Sequence, residues 1–345
     1  KYKLSSGVCI DSRKVENQNI FFCIKGDNFD GHEFAEESLK KGANFVVVDN
    51  IEYFIEDDPR YLLVANTLIA LQMLANYYRD KLNIPLIAIT GSNGKTTSKE
   101  LINAVLSTRF KTHATKGNFN NHIGLPLTIL DMEEDTDIAI IEMGASGERE
   151  ISFLCDIAQP NYGIITNIGK AHLEGFGSLE GVKRAKGELY SYIRNHNGKL
   201  FVNADLEYLK EMSQGVNAIF YGTDYHIKTY GKITKTHPHI SVLYNNTNII
   251  NTQLAGTYNF PNVMLAISIG LYFNVEADAI RRGIENYKPQ INRSQSIKYK
   301  NADVILDAYN ANPSSMLAAI SSFNDKPKSK GLVILGDMME LGPDS

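Results

Sequence analysis

Hydrophobic residues in this chain gather in short runs, separated by polar stretches rich in glycine and asparagine. Leu86–Ile89 is such a run, and it leads into Thr90-Gly91-Ser92-Asn93-Gly94-Lys95-Thr96-Thr97. A short apolar run bounded by turn residues reads as a buried strand, and the spacing from Thr96 onward reads as a helix. Ile138–Ile141 and Tyr162–Thr166 repeat the pattern, each strand emptying into a polar loop. Ser178–Ile193 and the apolar stretch running to about Phe273 have helical spacing. Strand and helix thus alternate over residues 84–290, which predicts an α/β fold with a mostly parallel sheet between helices. Asp224–Gln253 differs: its β-branched residues alternate with polar ones, as in antiparallel strands.

The flanking regions read as separate units. Within residues 1–83, strands are predicted at Ile20–Ile24, Phe45–Val48 and Tyr61–Val64. Helices are predicted at His32–Lys41, closed by Gly42, and at Thr67–Lys81. Residues 291–345 read as strand Val304–Leu306, a helix through Phe323 and strand Leu332–Leu335, the start of a Rossmann-like domain. A chain of 345 residues is expected to hold two or three domains. Both ends read as trimmed, and the third domain as incomplete.

Composition narrows the function. The formal net charge is −4, without the basic footprint of a nucleic-acid partner. Cys9, Cys23 and Cys155 show neither metal nor disulfide spacing and suit a reducing cytoplasm. No apolar stretch approaches about 18 residues and no signal peptide is present, so a soluble protein without a membrane partner is expected. Nothing suggests an obligate interface, and a monomer is expected.

The strand–loop–helix around Gly91 carries the strongest chemical signal. Backbone N–H groups and the positive end of a helix dipole face phosphates there, and glycines permit close approach. Lys95 is placed to reach β- and γ-phosphates, and the Thr96 hydroxyl to sit on Mg²⁺. The usual spacing wants a glycine at position 89, where this chain has Ile, so the match is to a shorter form of the loop. A nucleoside triphosphate is the expected ligand. Glu142 ends a parallel strand, where ligands bind in open α/β sheets, and is placed to hold Mg²⁺. His172 lies in the loop after the next strand.

Other residues are ambiguous on local grounds. Lys186 alone reads as a solvated surface lysine. Asp11-Ser12-Arg13 and Lys25–His32 suit an anionic ligand, although ordinary turn chemistry explains them as well. His237 and His239 face one side of a strand but lack a third ligand nearby. Asn259 and Asn262 open a helix either as caps or as readers of an adenine edge.

Taken together, TGSNGKTT (90–97), GNFNNHIGLP (117–126), EMGA (142–145), AHLEGFGS (171–178), AKGE (185–188), YNFPN (258–262), DAYNANP (307–313) and GDMMELG (336–342) resemble the Mur ligases, ATP-dependent amide-bond-forming enzymes of peptidoglycan synthesis. The resemblance spans the chain. It points to the branch that joins D-Ala-D-Ala to UDP-MurNAc-tripeptide. It implies three domains, for the UDP-sugar (1–83), for ATP (84–290) and for closure over the site (291–345). It also implies ATP bound by Gly91, Ser92, Asn93, Gly94, Lys95, Thr96 and Thr97. Asn121 joins that set, or His122 if the register slips, together with Asn259, Asn262, Arg293 and Asp307. Two Mg²⁺ ions would be held by Thr96, Glu142, His172 and a carbamylated Lys186. Lys95, Glu142, His172 and Lys186 would be catalytic, and Asp11, Ser12 and Arg13 would meet the UDP-sugar. One departure is Ala308, where the family pattern has Ser. Sister ligases adding diaminopimelate or lysine, folylpolyglutamate synthases and non-catalytic P-loop switches are the alternatives. The chain has no [NT]-K-x-D guanine motif, and Glu142, His172 and Lys186 are all intact, against a switch.

Overall fold

The computed structural model describes residues 2–170, 172–289, 292–324 and 331–338. In chain order the elements are β1 (Gly7–Cys9), β2 (Asn19–Phe22), β3 (Lys25–Gly26), β4 (Phe29–Asp30), α1 (Ala35–Lys40), β5 (Phe45–Val48), β6 (Tyr61–Leu63) and α2 (Thr67–Leu82). Then come β7 (Leu86–Thr90), α3 (Lys95–Leu106), β8 (Thr112–Ala114), α4 (Gly124–Leu130), β9 (Ile138–Glu142), α5 (Glu150–Ala158), β10 (Tyr162–Ile165), α6 (Leu173–Phe176) and α7 (Leu179–Asn195). The remainder comprises β11 (Lys199–Asn203), α8 (Glu207–Met212), β12 (Asn217–Gly222), β13 (Thr229–Lys235), β14 (Ser241–Tyr244), β15 (Asn248–Asn251), α9 (Phe260–Tyr272), α10 (Ala277–Asn286), β16 (Gln295–Tyr299), β17 (Ala302–Leu306) and α11 (Pro313–Asn324). No described helix is long and apolar enough to cross a membrane.

Two compact units result. The first joins Lys1–Asn83 to Lys116–Glu134 and Asp156–Gln159. Its sheet runs β1-β2-β5-β6, all parallel. Phe21, Cys23, Val46, Val48 and Tyr61 pack beneath Ala35 and Leu39 of α1. Residues 116–134, placed by the sequence with the ATP domain, fold here against α2. The reason is polar as well as apolar. Gln72 Nε2 donates to the His122 carbonyl at 2.9 Å, and the Tyr78 hydroxyl to that of Met132 at 2.8 Å. The buried Met132 carbonyl needs such a donor, and α2 supplies it.

The second unit holds a nine-stranded sheet in the order β15-β14-β13-β12-β11-β10-β7-β9-β8. Neighbours from β13 to β8 are parallel, and β14 and β15 add an antiparallel edge, as the alternation over Asp224–Gln253 predicts. All five residues of β7 are buried, as a strand flanked on both sides by parallel neighbours requires. Ile87, Ile89, Leu101, Val105, Val263, Ile267 and Ile280 form one apolar cluster joining β7, α3, α9 and α10. A Cβ at Gly283 of α10 would stand 2.6 Å from the Ala104 carbonyl of α3, so these helices meet backbone to backbone.

The C-terminal part departs from expectation. β17 pairs antiparallel with β16, a strand the sequence reading missed. Leu332–Leu335, expected as a strand, has no regular structure and is exposed. A strand exists through its pairing, and no described segment pairs with this one. Residues 339–342 of the GDMMELG motif, and Ala171, lie outside the described residues.

Candidate active site

The phosphate-type loop has the shape its residues foretell. β7 ends at Thr90, Gly91–Gly94 turn, and α3 begins at Lys95. Gly91 has φ +141°, and a Cβ there would stand 2.0 Å from Thr166 Oγ1. Gly94 occupies the N-cap at φ 79°, a left-handed conformation open mainly to glycine. What fixes the loop is the segment after β10, whose Ile165 lies opposite Thr90. Asn167 Oδ1 accepts from the Asn93 N–H at 2.9 Å, while the Thr166 hydroxyl donates to the Asn93 carbonyl at 2.6 Å. Gly169 N–H donates to Ser92 Oγ at 2.8 Å. Thr166, Asn167 and Gly169 are supports that sequence reasoning did not single out.

Charge is concentrated beside this loop. Lys95 Nζ folds back to donate to the Gly91 carbonyl at 2.7 Å. Burial pulls the Lys95 pKa down, and Glu142 opposes that fall. The Thr96 hydroxyl donates to Glu142 Oε2 at 2.8 Å, and Glu142 is 2% exposed. Thr97 is partly buried in the same first turn of α3. A hydroxyl and a carboxylate are hard oxygen donors and fit Mg²⁺, which keeps several positions for phosphate oxygens and water. No group of three or more His, Cys, Asp or Glu suited to a metal ion occurs among the described residues, around His237 and His239 included.

Lys186 is not a surface lysine. It sits on α7, which begins where Ser178 Oγ accepts from the Gly181 N–H at 3.1 Å. The residue is 2% exposed, and its Nζ donates to the Ala145 carbonyl at 3.2 Å. Its ammonium stands 5.2 Å from the centre of the Phe176 ring. Burial, and secondly the charge of Lys95, push its pKa down to about 7. His172 is the N-cap of α6, with φ 52°, and the same short helix delivers Phe176 to Lys186.

The remaining candidates fall in several places. Asn259 and Asn262 are buried at the start of α9 and bonded to each other at 3.0 Å. Asn259 stands at the N-cap of α9 without a side-chain cap bond. Asn262 Oδ1 also accepts from the Ser98 hydroxyl on α3 at 3.1 Å. The guanidinium of Arg293 lies 3.6 Å from the centre of the Tyr309 ring, and its charge helps lower the Lys95 pKa. Asp307 Oδ1 accepts from the Ser294 N–H at 3.1 Å. Asn312, not picked out from the sequence, donates from Nδ2 to Asn93 Oδ1 at 2.7 Å and so reaches the phosphate-type loop. Lys95, Thr96, Glu142, Lys186, Arg293 and the asparagines of α9 all lie in the second unit.

Asn121 lies in the first unit, where its Oδ1 accepts from the N–H groups of Ile123 and Gly124 at 3.1 and 2.8 Å. Asp11, Ser12 and Arg13 form a single turn there. Arg13 Nε and Nη2 each donate to Asp11 at 2.8 Å, and this pairing holds the Asp11 carboxyl down to about 2. Lys41, unremarked in the sequence, donates to the Ser12 carbonyl at 2.8 Å.

Comparison with known proteins places this geometry. Residues 5–90 match the Mur ligase family catalytic domain, residues 89–270 the Mur ligase middle domain, and residues 292–345 the Mur ligase glutamate ligase domain. The UDP-N-acetylmuramoyl-tripeptide–D-alanyl-D-alanine ligase of Bacillus subtilis (strain 168) is 39% identical over 97% of this chain and 74% of that protein. Crystal structure I of MurF from Acinetobacter baumannii is 30% identical with a TM-score of 0.88, over 98% of this chain and 75% of that one. The MurF ligase of Thermotoga maritima in complex with ADP is 26% identical with a TM-score of 0.87, over 100% of this chain and 80% of that one. With its loop, its buried Thr96–Glu142 pair and these relatives, the chain belongs to the Mur ligase family.

Proposed function

We propose that this protein is the ATP-dependent ligase that joins D-Ala-D-Ala to UDP-MurNAc-tripeptide, acting as a monomer in the bacterial cytoplasm. The observation that carries this reading is the identity of 39%, over 97% of the chain, to a relative bearing that activity in its name. The site supports it with a phosphate-type loop, a lysine beside that loop and a hydroxyl–carboxylate pair suited to Mg²⁺. The tripeptide carboxylate attacks the γ-phosphorus of ATP, the β,γ-bridging oxygen leaves with ADP, and an acyl phosphate forms. The D-Ala-D-Ala amine then adds to the acyl carbon, loses a proton, and expels inorganic phosphate as the amide forms.

Catalysis of such phosphoryl transfer is mainly positioning and neutralisation of charge. Lys95 turns from the Gly91 carbonyl to the β- and γ-phosphates, and the N–H groups at the start of α3 receive phosphate oxygens. Mg²⁺, when bound, neutralises charge on the transferring phosphoryl group. Thr96 and Glu142 hold one ion. His172 and Lys186 hold a second, with Lys186 as its carbamate. With its pKa pulled down to about 7 by burial, Lys186 holds a substantial fraction of neutral amine near neutral pH, and that amine can add to CO₂, lose a proton and present hard oxygens. Asn259 and Asn262 shape the adenine side from α9. Arg293 and Asp307 complete ATP binding, and Asp11, Ser12 and Arg13 meet the UDP-sugar. Boundaries near residues 83 and 290 divide the UDP-sugar, ATP and closing domains, with residues 116–134 packed on the first of them.

The test is ADP release by the full-length protein. Turnover should require UDP-MurNAc-tripeptide and D-Ala-D-Ala together. Turnover only with UDP-MurNAc-dipeptide and diaminopimelate or lysine would move the protein to a sister ligase. Tight ATP binding without turnover on either pair would make it a non-catalytic nucleotide-binding protein.

A further inference from the structure

One turn beyond Thr96, α3 carries a second lysine that the proposed reaction does not use. Lys99 is 1% exposed. Burying an ammonium is costly unless it is paired, and an apolar side chain would fill the same space without that cost. Its partners therefore matter. Lys99 Nζ donates to the Thr115 carbonyl and lies 2.8 Å from Glu100 Oε1.

Thr115 follows β8 directly and is itself buried, and each of its three polar groups is engaged. Its N–H donates to the Ile140 carbonyl of β9 at 3.1 Å. Its carbonyl accepts from Lys99. Its hydroxyl oxygen accepts from the N–H of Glu142 at 2.9 Å. The carboxylate of Glu142 then accepts from Thr96 at 2.8 Å. The path Lys99–Thr115–Glu142–Thr96 leaves α3, crosses the ends of two strands and returns to α3 three residues earlier. It is a closed ring, and only the Thr96–Glu142 side faces the phosphate-type loop.

We propose that Lys99 and Thr115 are positioning residues that hold Glu142 in register with Thr96 for the divalent cation of a metal–nucleotide complex. The proposal rests on the reading of Glu142 as a metal ligand. Lys99 touches neither metal nor nucleotide. It acts by fixing the end of β8, so that the Thr115 hydroxyl meets the Glu142 amide and the carboxylate keeps its angle to α3. Groups that orient a metal ligand typically change metal affinity or activity by about 10–100-fold when removed.

The test uses the full-length protein, Mn²⁺ as a spin probe and ADP, with no turnover. Mn²⁺ affinity in the presence of ADP is read by electron paramagnetic resonance, and metal-free ADP affinity by calorimetry. Lys99→Met and Thr115→Val should each weaken Mn²⁺ binding by about 10-fold or more while metal-free ADP binding stays within about twofold. Thr115→Ser should restore the parent value, since it keeps the hydroxyl. Should Lys99→Met fail to fold, the two Thr115 variants decide. If Glu142→Gln weakens Mn²⁺ binding but neither Lys99→Met nor Thr115→Val does, the inference falls and the metal reading stands. If Glu142→Gln changes nothing, the metal reading falls and takes the inference with it. Equal losses of metal-bound and metal-free nucleotide affinity would mark a merely structural role and also overturn it.

Discussion

Two strand–loop–helix segments of the second unit, Leu86–Leu106 and Ala302–Asn324, share a local design and differ in everything around it. Each has an apolar strand, a polar loop with asparagines and a helix. β7 lies between β9 and β10 and is buried throughout, whereas β17 pairs, among the described residues, with β16 alone and leaves most of its residues exposed. α3 is pinned by α9 and α10, while α11 has no buried residue. The two loops nonetheless meet through Asn93 and Asn312. A hydrophobic pattern makes a strand possible, and a paired partner makes it form. Neighbours on both edges decide whether it becomes a rigid base for chemistry.

The sharpest way to break this comparison is to remove the loop's charge. Lys95→Ala should lower the rate of ADP formation by at least about a thousandfold, because charge neutralisation is the main catalytic term in phosphoryl transfer. A loss below tenfold would deny the first loop its privileged role. Next comes Lys186→Ala, expected to cost about a hundredfold or more in rate through loss of an oriented metal ligand. Short carboxylic acids should partly restore the rate. Carbon-13 bicarbonate should label the parent at this residue and leave the variant unlabelled, and an unlabelled parent would sink the carbamate.

Packing supplies the next two contrasts. Ile89→Ala, in the fully buried β7, should destabilise by about 3 kcal/mol in denaturant melts. Leu317→Ala on α11, where Leu317 is 68% exposed, should change stability by less than about 0.5 kcal/mol. Equal effects would mean that α11 is buried in solution. Asn312→Ala should have an intermediate and mainly kinetic effect. It removes the side-chain hydrogen bond to Asn93, about 1 kcal/mol, along with the acceptor for the Ser315 N–H at the start of the exposed α11, and should raise the KM for ATP about fivefold with only a small change in melting temperature.

The same contrast explains what was legible in the sequence. β7, β9 and β10 were visible because central parallel strands are uninterrupted apolar runs. Thr67–Lys81 was visible through its helical spacing, and the structure adds Leu82 and the N-cap Asn66. β16 was missed because Gln295–Tyr299 is mostly exposed and has no apolar run of its own. The strand at Leu332–Leu335 was expected for the opposite reason: an apolar run needs a partner, and pattern does not supply one. Lys95, Thr96 and Glu142 were legible because their spacing to strand ends carries the chemistry. Lys99, Thr115, Asn167 and Asn312 were not, because each acts through a contact with a residue distant along the chain, and no local pattern encodes that. Lys186 stood between the two cases, ordinary in its own helix and identified through the resemblance of its motif to the family.

The backbone contact between Gly283 and Ala104 has a genetic consequence. Any side chain at 283 would push α10 from α3 and tilt the helix whose other end follows the phosphate-type loop. Loss-of-function alleles should therefore collect at a position with no chemistry of its own, on the far side of the helix from the ligand. Their compensating second-site changes should map to α10 and α3 rather than to the loop.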